Sequence, residues 1–366
     1  MDIIGIIAEF NPFHKGHLYY INKIKEMYPN SILVLVLNGY FTERGDISIE
    51  SKEEKTRLAL KYAVDIVLEL PVLYGTSSAD IFAETSITML NNLGVEKIIF
   101  GSESCDINML KQAASIQLSD GFNDKVKSYL DKGLNYPTAL NKAIGISIDS
   151  PNDLLGISYI KAILKNHFDI KPICIQRTNS YHDINSNEEI ISASNIRNKI
   201  INSENIDKYI PEGKIDKVDY KLLFTLIKYK ILTDDLSIYE TVDEGIENKL
   251  KKEILNSNSL DELINNIKSK RYTYNRLSRM LTHILLGIKK NDSNTKLSYV
   301  RLLGFSSKGK DYINSIKKNI QIPLITKYAN INNVVKDYED TSALIYQMLT
   351  NDNVTLFENN NKPLIK

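Results

Sequence analysis

Short apolar runs rich in β-branched residues recur through the first half of the chain. They lie at 2–10 (DIIGIIAEF), 31–39 (SILVLVLNG), 64–70 (VDIVLEL) and 95–103 (VEKIIFGSE), each closed by a Gly, Asn or Pro signal. Such runs predict strands. Between them, 16–28, 51–62 and 78–93 carry helical spacing. Near-continuous apolar strands separated by helices predict a parallel sheet covered on both faces. A further unit follows as a helix over 153–166 (DLLGISYIKAILKN) and a strand over 170–177 (IKPICIQR). Ser and Asn in SASNIRNKI offer caps that start another helix near Ser192. After about residue 205 the strand signals stop. The segments 219–232, 246–256, 260–288 and 342–350 all carry a helical period. The pattern predicts an α/β chain with a Rossmann-like parallel-sheet domain over 1–205 and a mainly α-helical domain over 206–366, the boundary falling near IPEGK (210–214).

A length of 366 residues accommodates two domains and a sizeable core. Hydrophobic content of 43% and charged content of 25% fit a soluble globular protein. The longest apolar run, 32–37, is far shorter than a membrane span, and no leader pattern opens the chain. Cys105 and Cys174 are too few for a disulfide framework and lack metal-site spacing. The expectation is a cytoplasmic protein with no membrane partner and no obligate protein partner. The net charge of +1 conceals an asymmetry. Residues 1–200 hold 20 Lys+Arg against 24 Asp+Glu, and residues 201–366 hold 26 against 21. Between Lys268 and Lys310 there are eleven basic residues and one acid, Asp292. That block suits an anionic partner, the plain alternative being a solvated basic face.

The first predicted strand runs into Asn11-Pro12-Phe13 and then His14-Lys15-Gly16-His17, which opens the first helix. Ligands of open α/β sheets bind at the carboxyl ends of strands, where helix N-termini present N–H groups. Two imidazoles placed there can donate to phosphate oxygens and stabilise charge as an α-phosphorus is attacked and pyrophosphate leaves. By itself the pattern is more often that of two structural histidines, and its placement between strand one and a helix is what favours function. Zinc fits less well, because no third or fourth ligand has suitable spacing, so no metal ligand is expected from the side chains. A second element, ISASNIR (191–197), places Ser192, Ser194 and Arg197 in the first turn of a helix, a set suited to β- and γ-phosphates. The alternative is an ordinary capped helix with a surface arginine.

Together these two elements resemble the paired signatures of the nucleotidylyltransferase superfamily. The ordered blocks GIIAEFNPFHKGHLYYI (5–21), FTERGD (41–46), VDIVLELP (64–71), FAE (82–84), FGSES (100–104), SPNDLLGISYIKAI (150–163) and RYTYNRLSRMLTHILLGI (271–288) resemble, more closely, the bacterial tRNA(Met) cytidine acetate ligases. The resemblance implies that ATP and acetate form acetyl-adenylate and pyrophosphate. The acetyl group then passes to N4 of the wobble cytidine of elongator methionine tRNA, without acetyl-CoA. It implies an ATP segment formed by Ile7, Ala8, Glu9, Phe10, Asn11, Pro12, Phe13, His14, Lys15, Gly16, His17, Leu18, Tyr19 and Tyr20. Further nucleotide contacts fall at Gly101, Asn152 and Arg177, joined by Ser192 and Ser194. Catalytic roles fall on His14, His17 and Arg197, with Mg2+ accompanying the nucleotide. Where family members tend to carry a second serine before the capping one, this chain has Ile191.

Acetate is already an anion, so the protein has to hold it in line and neutralise the transition state. Thr42 and Arg44 are the expected acetate partners, against the alternative that 43–46 is a self-paired surface loop. For the tRNA anticodon region, Lys268, Lys270, Arg271, Tyr272, Tyr274, Arg276 and Arg279 are the expected contacts. Leu277, Met280, Leu281, Ile284, Leu285 and Ile288 form the core stripe of that helix, with Arg276, Arg279 and His283 opposite. Two other readings stand beside this one. A small-molecule adenylyltransferase would need little beyond the first domain, and a non-catalytic nucleotide-dependent RNA-binding protein would not need the His14, Gly16, His17 and Arg197 set.

Overall fold

A computed structural model describes residues 1–177, 188–269, 272–359 and 362–366. Five parallel strands form the first part of the sheet: β1 (Ile3–Ala8), β2 (Ile32–Asn38), β3 (Ile66–Leu70), β4 (Lys97–Ser102) and β5 (Lys171–Gln176). They lie in the order β5-β4-β1-β2-β3, so the winding reverses between β1 and β4. Crevices form at such reversals, beyond the carboxyl ends of the strands. The alternation along β2 shows how both faces are covered. Ile32, Val34 and Val36 enter one core with Phe82, Ala83, Ile157 and Ile160, while Leu33, Leu35 and Leu37 enter another with Ile21, Ile24, Leu58 and Ala59. A buried β-branched strand with successive side chains on opposite faces has no polar side to offer.

The helices Lys15–Met27, Lys52–Lys61, Ala79–Asn92, Pro151–Lys165 and Ala193–Ile201 stand where the pattern predicts them. Helices Ile107–Gln117, Phe122–Asp131 and Tyr136–Ile144 add a layer that the strand–helix reading did not contain. The second half is mostly helical, including Tyr220–Thr233, Ile246–Glu253, Leu260–Ile267, Tyr274–Leu286 and Val334–Thr350. The stretch 260–288, expected as continuous helix, is therefore two helices.

Strands do not stop at 205. Val300–Phe305 (β6) pairs antiparallel with β3, and Leu324–Ile325 (β7) and Leu364–Ile365 (β8) pair parallel with β6. The β6 segment lies beyond the point where strand signals were expected to end, and it carries Arg301 into a buried strand. Its charge is met by buried carboxylates. The Arg301 guanidinium contacts Glu358 and lies 3.4 Å from Glu69 Oε1, and it packs over the Tyr328 ring. Lys52 Nζ reaches Glu69, Glu339 Oε1 at 2.8 Å and Glu358 Oε1 at 2.7 Å. This cluster ties the helix Lys52–Lys61, β3, β6 and the two last helices together, so residues from the end of the chain complete the N-terminal sheet.

Among the described residues, no helix is long and apolar enough to cross a membrane.

Candidate active site

A cavity of about 370 Å³ opens at the β1/β4 reversal. The ends of β1, β4 and β5 supply Ile7, Ala8, Phe100, Gly101, Ile175 and Gln176 to its wall, and the N-termini of two helices face it from opposite sides. His14 caps the helix Lys15–Met27. Its Nδ1 accepts from Gly16 N at 3.0 Å, and His17 Nδ1 accepts from His14 N at 3.2 Å. This is a capping box in which both polar caps are imidazoles. An accepting Nδ1 places the proton of a neutral ring on Nε2, and no described residue occupies either Nε2. Burial, with Arg177 and Arg197 nearby, pushes His14 down to about 3. Burial and the His14 ring lower His17 as well. Both rings are thus neutral at physiological pH and offer two Nε2–H donors, 3.9 Å apart between ring centroids.

Local packing fixes this pair. Phe10 stacks edge-on against His17 and Phe13, and Phe13 N donates to Glu50 Oε2 at 2.7 Å. Gly16 has a specific reason: a Cβ there would stand 2.6 Å from His14 Cε1 and 2.8 Å from its Nδ1. The glycine therefore makes room for the His14 ring, where the sequence suggested room for a ligand. The first-turn N–H groups of this helix are occupied, Lys15 N by Tyr209 O and His17 N by His14 O. The imidazoles, not the backbone, face the cavity here.

The opposite helix, Ala193–Ile201, behaves differently. Its cap Ser192 accepts from Asn195 N at 3.2 Å, and the N–H groups of Ala193 and Ser194 have no partner among the described residues. Arg197 is anchored by Asn11 O at 2.7 Å and Ser194 Oγ at 3.3 Å. Ile191, in the place of the second serine, is buried with Ile196, Tyr209 and Ile210 and seats this helix.

Arg177, Asn152 and Gly101 share the third wall. Glu103 links the first two, accepting from Asn152 Nδ2 and standing 3.6 Å from Arg177 Nε. A Cβ on Gly101 would stand 3.3 Å from Arg177 Cγ, so this glycine leaves space for the arginine. Asp153 holds the 102–104 turn through Ser102 Oγ and the backbone N–H groups of Glu103 and Ser104. Glu103 and Asp153 were not singled out in the sequence. The SPND and FGSES blocks could have suggested them, since each puts an acid beside a residue that was.

The structure brings Ile7, Ala8, Glu9, Phe10, Asn11, His14, Gly16, His17, Tyr19, Tyr20, Gly101, Asn152, Arg177, Ser192, Ser194 and Arg197 to one cavity, together with Thr42 and Arg44. Pro12, Phe13, Lys15 and Leu18 stand outside the lining. Phe13 is core, and Lys15 pairs with Glu189 at the surface. Thr42 Oγ1 accepts from Asp46 N at 3.1 Å, closing the 41–47 turn and leaving its own proton to donate.

The basic helix differs more from expectation. The apolar stripe Leu277, Met280, Leu281, Ile284, Leu285 and Ile288 is buried, as its spacing requires. His283 is not on an outer face. It is buried, with Nε2 3.0 Å from Thr76 O, and burial pulls it down to about 4. Arg279 pairs with Glu43 in the cavity-lining turn, and Thr282 Oγ1 donates to Gly45 O at 2.7 Å. Tyr272 is buried beneath Arg276 and donates to Asp243 O at 2.6 Å, so its ring is closed to a base. Tyr274 keeps an exposed ring, its hydroxyl on Asp261. Lys268 is exposed, and Lys270 and Arg271 lie outside the described residues.

A reversal-point cavity between two helix N-termini, with an H-x-G-H pair on one, is the arrangement a nucleotidyl transferase calls for. Residues 1–362 match the family described as HIGH Nucleotidyl Transferase, to which the chain belongs. Within that class it belongs to the tRNA(Met) cytidine acetate ligase family. It is 38% identical to the tRNA(Met) cytidine acetate ligase of Clostridium novyi (strain NT), over 95% of this chain and 96% of the relative. It is 40% identical to that of Caldicellulosiruptor saccharolyticus, over 94% and 91%. The fold is shared with Thermotoga maritima TmcAL, crystallised with alpha-thio ATP, at a TM-score of 0.86 and 24% identity over 100% of this chain and 99% of that one.

Proposed function

We propose that this protein activates acetate with ATP and transfers the acetyl group to N4 of the wobble cytidine of elongator methionine tRNA. The observation that carries the reading is the pair of neutral imidazoles, each with a free Nε2–H, that shares one cavity with Arg197 and the open N-terminus of Ala193–Ile201. A triphosphate spanning these two helices meets two neutral donors on one side, and free N–H groups with a fixed positive charge on the other. Neutral donors matter because they follow charge as it moves onto the α-phosphoryl oxygens and leaving pyrophosphate, without a bound proton to lose.

Acetate enters between Thr42 and Arg44, in line with the α-phosphorus, and needs no activation by a base. Asn152 and Arg177, held together through Glu103, take the nucleoside side of the cavity. Mg2+ enters on the phosphates: among the described residues no group of three His, Cys, Asp or Glu side chains could hold a metal ion. The tRNA approaches over the surface carrying Lys268, Tyr274 and Arg276, and membership of the acetate ligase family supports tRNA as the acceptor.

The test is acetate-dependent exchange of pyrophosphate into ATP, followed by mass spectrometry of tRNA incubated with the protein, ATP and labelled acetate. Exchange and N4-acetylcytidine are expected, with acetyl-CoA unable to replace the two substrates. Adenylation of a phosphopantetheine or mononucleotide acceptor in place of acetate would overturn the reading in favour of a small-molecule adenylyltransferase.

A further inference from the structure

We propose that Asp46 accepts the proton released by the cytidine amine as it attacks the activated acetyl group. This rests on the acetyl-transfer reading above and assigns its second half-reaction a residue. The exocyclic amine of cytosine is a poor nucleophile, because its lone pair is delocalised into the ring. Bond formation to a carbonyl carbon puts positive charge on N4, and a positioned base lowers that barrier.

Three carboxylates line the cavity: Glu9, Glu43 and Asp46. Glu9 Oε1 already takes Asn38 Nδ2 at 3.0 Å and Glu43 N at 2.6 Å. Glu43 is paired with Arg279. The Asp46 carboxylate accepts no hydrogen bond among the described residues, and its nearest cation is Arg197, 3.8 Å from Oδ2. Its backbone is nevertheless fixed, because Asp46 N donates to Thr42 Oγ1 and Asp46 O accepts from Thr42 N at 2.8 Å. A rigid backbone carrying an unspent carboxylate is suited to a substrate group.

Location decides which substrate. The Asp46 side chain is 42% exposed, so it stands at the mouth, where a base from a large RNA can reach. It also stands beside the arginine that faces the phosphates, which is where an acyl phosphate would present its carbonyl. An aspartate is a natural acceptor for the N4 hydrogens of cytosine. Tyr220 and Tyr274 each keep a ring at least 36% exposed. Both lie close enough to feel the Asp46 and Asp261 charges, and their exposed rings offer an unpaired base surfaces to stack on beside Asp46. The groups facing Asp46 are Arg197 and Arg44, which favour the carboxylate, and Glu9 and Asp261, which oppose it. Partial enclosure by the cavity walls, the largest influence, raises its proton affinity above that of a free aspartate.

The step balances. The N4 lone pair forms a bond to the acetyl carbonyl carbon, the carbon–oxygen bond to the adenylate phosphate breaks with its electron pair going to AMP, and one N4 proton passes to the Asp46 carboxylate.

The experiment compares Asp46→Asn and Asp46→Glu with the unaltered full chain in two assays, acetate-dependent pyrophosphate exchange and single-turnover acetyl transfer to tRNA. In Asp46→Asn, transfer is expected to fall about 100-fold or more while exchange changes by less than about 3-fold. Asp46→Glu should recover part of the transfer, and the acidic limb of its pH profile should vanish in Asp46→Asn. Transfer at the normal rate in Asp46→Asn, or equal losses in both assays, would overturn the proposal, the second result assigning Asp46 to the support of Arg197. If the unaltered chain supports no acetate-dependent exchange, the acetyl-transfer reading falls, and this inference with it.

Discussion

The cavity at the end of β1 and the ion cluster around Lys52 both crowd polar groups at close quarters, but they are finished in opposite ways. In the cluster each cation is consumed: Lys52 meets Glu69, Glu339 and Glu358, and Arg301 meets Glu69 and Glu358. Tyr40 OH adds a bond to Glu358 Oε1 at 2.7 Å, and Val72 N donates to Glu339 Oε2 at 2.7 Å. In the cavity the inner half of each group is consumed and the outer half is left open. The histidines spend Nδ1 on the helix cap and keep Nε2, Thr42 spends its lone pair and keeps its proton, and Ser192 does the same. Cations whose partners all lie within the protein hold elements in place, whereas groups left half paired are pre-organised for something that arrives later.

The largest effect should come from breaking the closed network. Lys52→Ala leaves three buried carboxylates facing one arginine, and removal of one partner of a buried pair costs about 3–5 kcal/mol. Thermal or urea unfolding should show the loss, while the fraction still folded binds nucleotide normally. A variant that stays stable but loses nucleotide affinity would break the contrast. His17→Ala should do the reverse, lowering acetate-dependent exchange about 100–1,000-fold with a small change in unfolding midpoint. Gly16→Ala sharpens the point, because its methyl displaces the His14 ring without deleting it. Exchange should fall roughly 10–100-fold through misplacement alone, with circular dichroism unchanged.

Arg279 joins the two kinds of region. Arg279→Ala leaves Glu43 unpaired in the turn that carries Thr42 and Arg44, and its uncompensated negative charge should raise the acetate KM roughly 10-fold, the equivalent of about 1.4 kcal/mol of repulsion. Arg276→Ala should leave the acetate KM alone and lower tRNA affinity, reducing the salt slope by about one. Equal effects of the two in either assay would erase the distinction between them.

The last effect is one of pH. Burial raises the Glu50 carboxyl to about 8, against its usual 4.5, while Phe13 N holds its Oε2. A carboxyl raised on folding stabilises fully below its unfolded value, and that stabilisation is lost as pH rises through 4.5 towards about 8. Glu50→Gln keeps the acceptor for Phe13 and removes the titration. Its unfolding midpoint should exceed that of the unaltered chain at pH 8.5 and match it at pH 4, below the unfolded value.

Much of the cavity was legible along the chain, because strand, turn and H-x-G-H are contiguous and local rules fix their order. The meaning of single residues within it was less so. Gly16 reads as a place for ligand approach until the His14 ring is seen against it. Tyr272, Arg279 and His283 read as an outward basic and aromatic face because helical period separates an apolar stripe from the rest, but a helix packed on several sides buries more than its stripe. The β6 strand was missed in a half of the chain dominated by helical period, and Arg301 is acceptable within it only because Glu69, from β3, and Glu358, from near the chain end, lie beside it.

The sequence by itself determined the parallel sheet, the capped helices and the placement of His14 and His17 at a strand's carboxyl end, since each follows from periodicity and contacts a few residues long. Tertiary structure alone decided that Ala193–Ile201 faces those histidines, that the end of the chain completes the sheet, and which carboxylate at the cavity mouth stays unspent. Those outcomes depend on partners more than a hundred residues apart, and pairing at that range leaves no period in the chain to read.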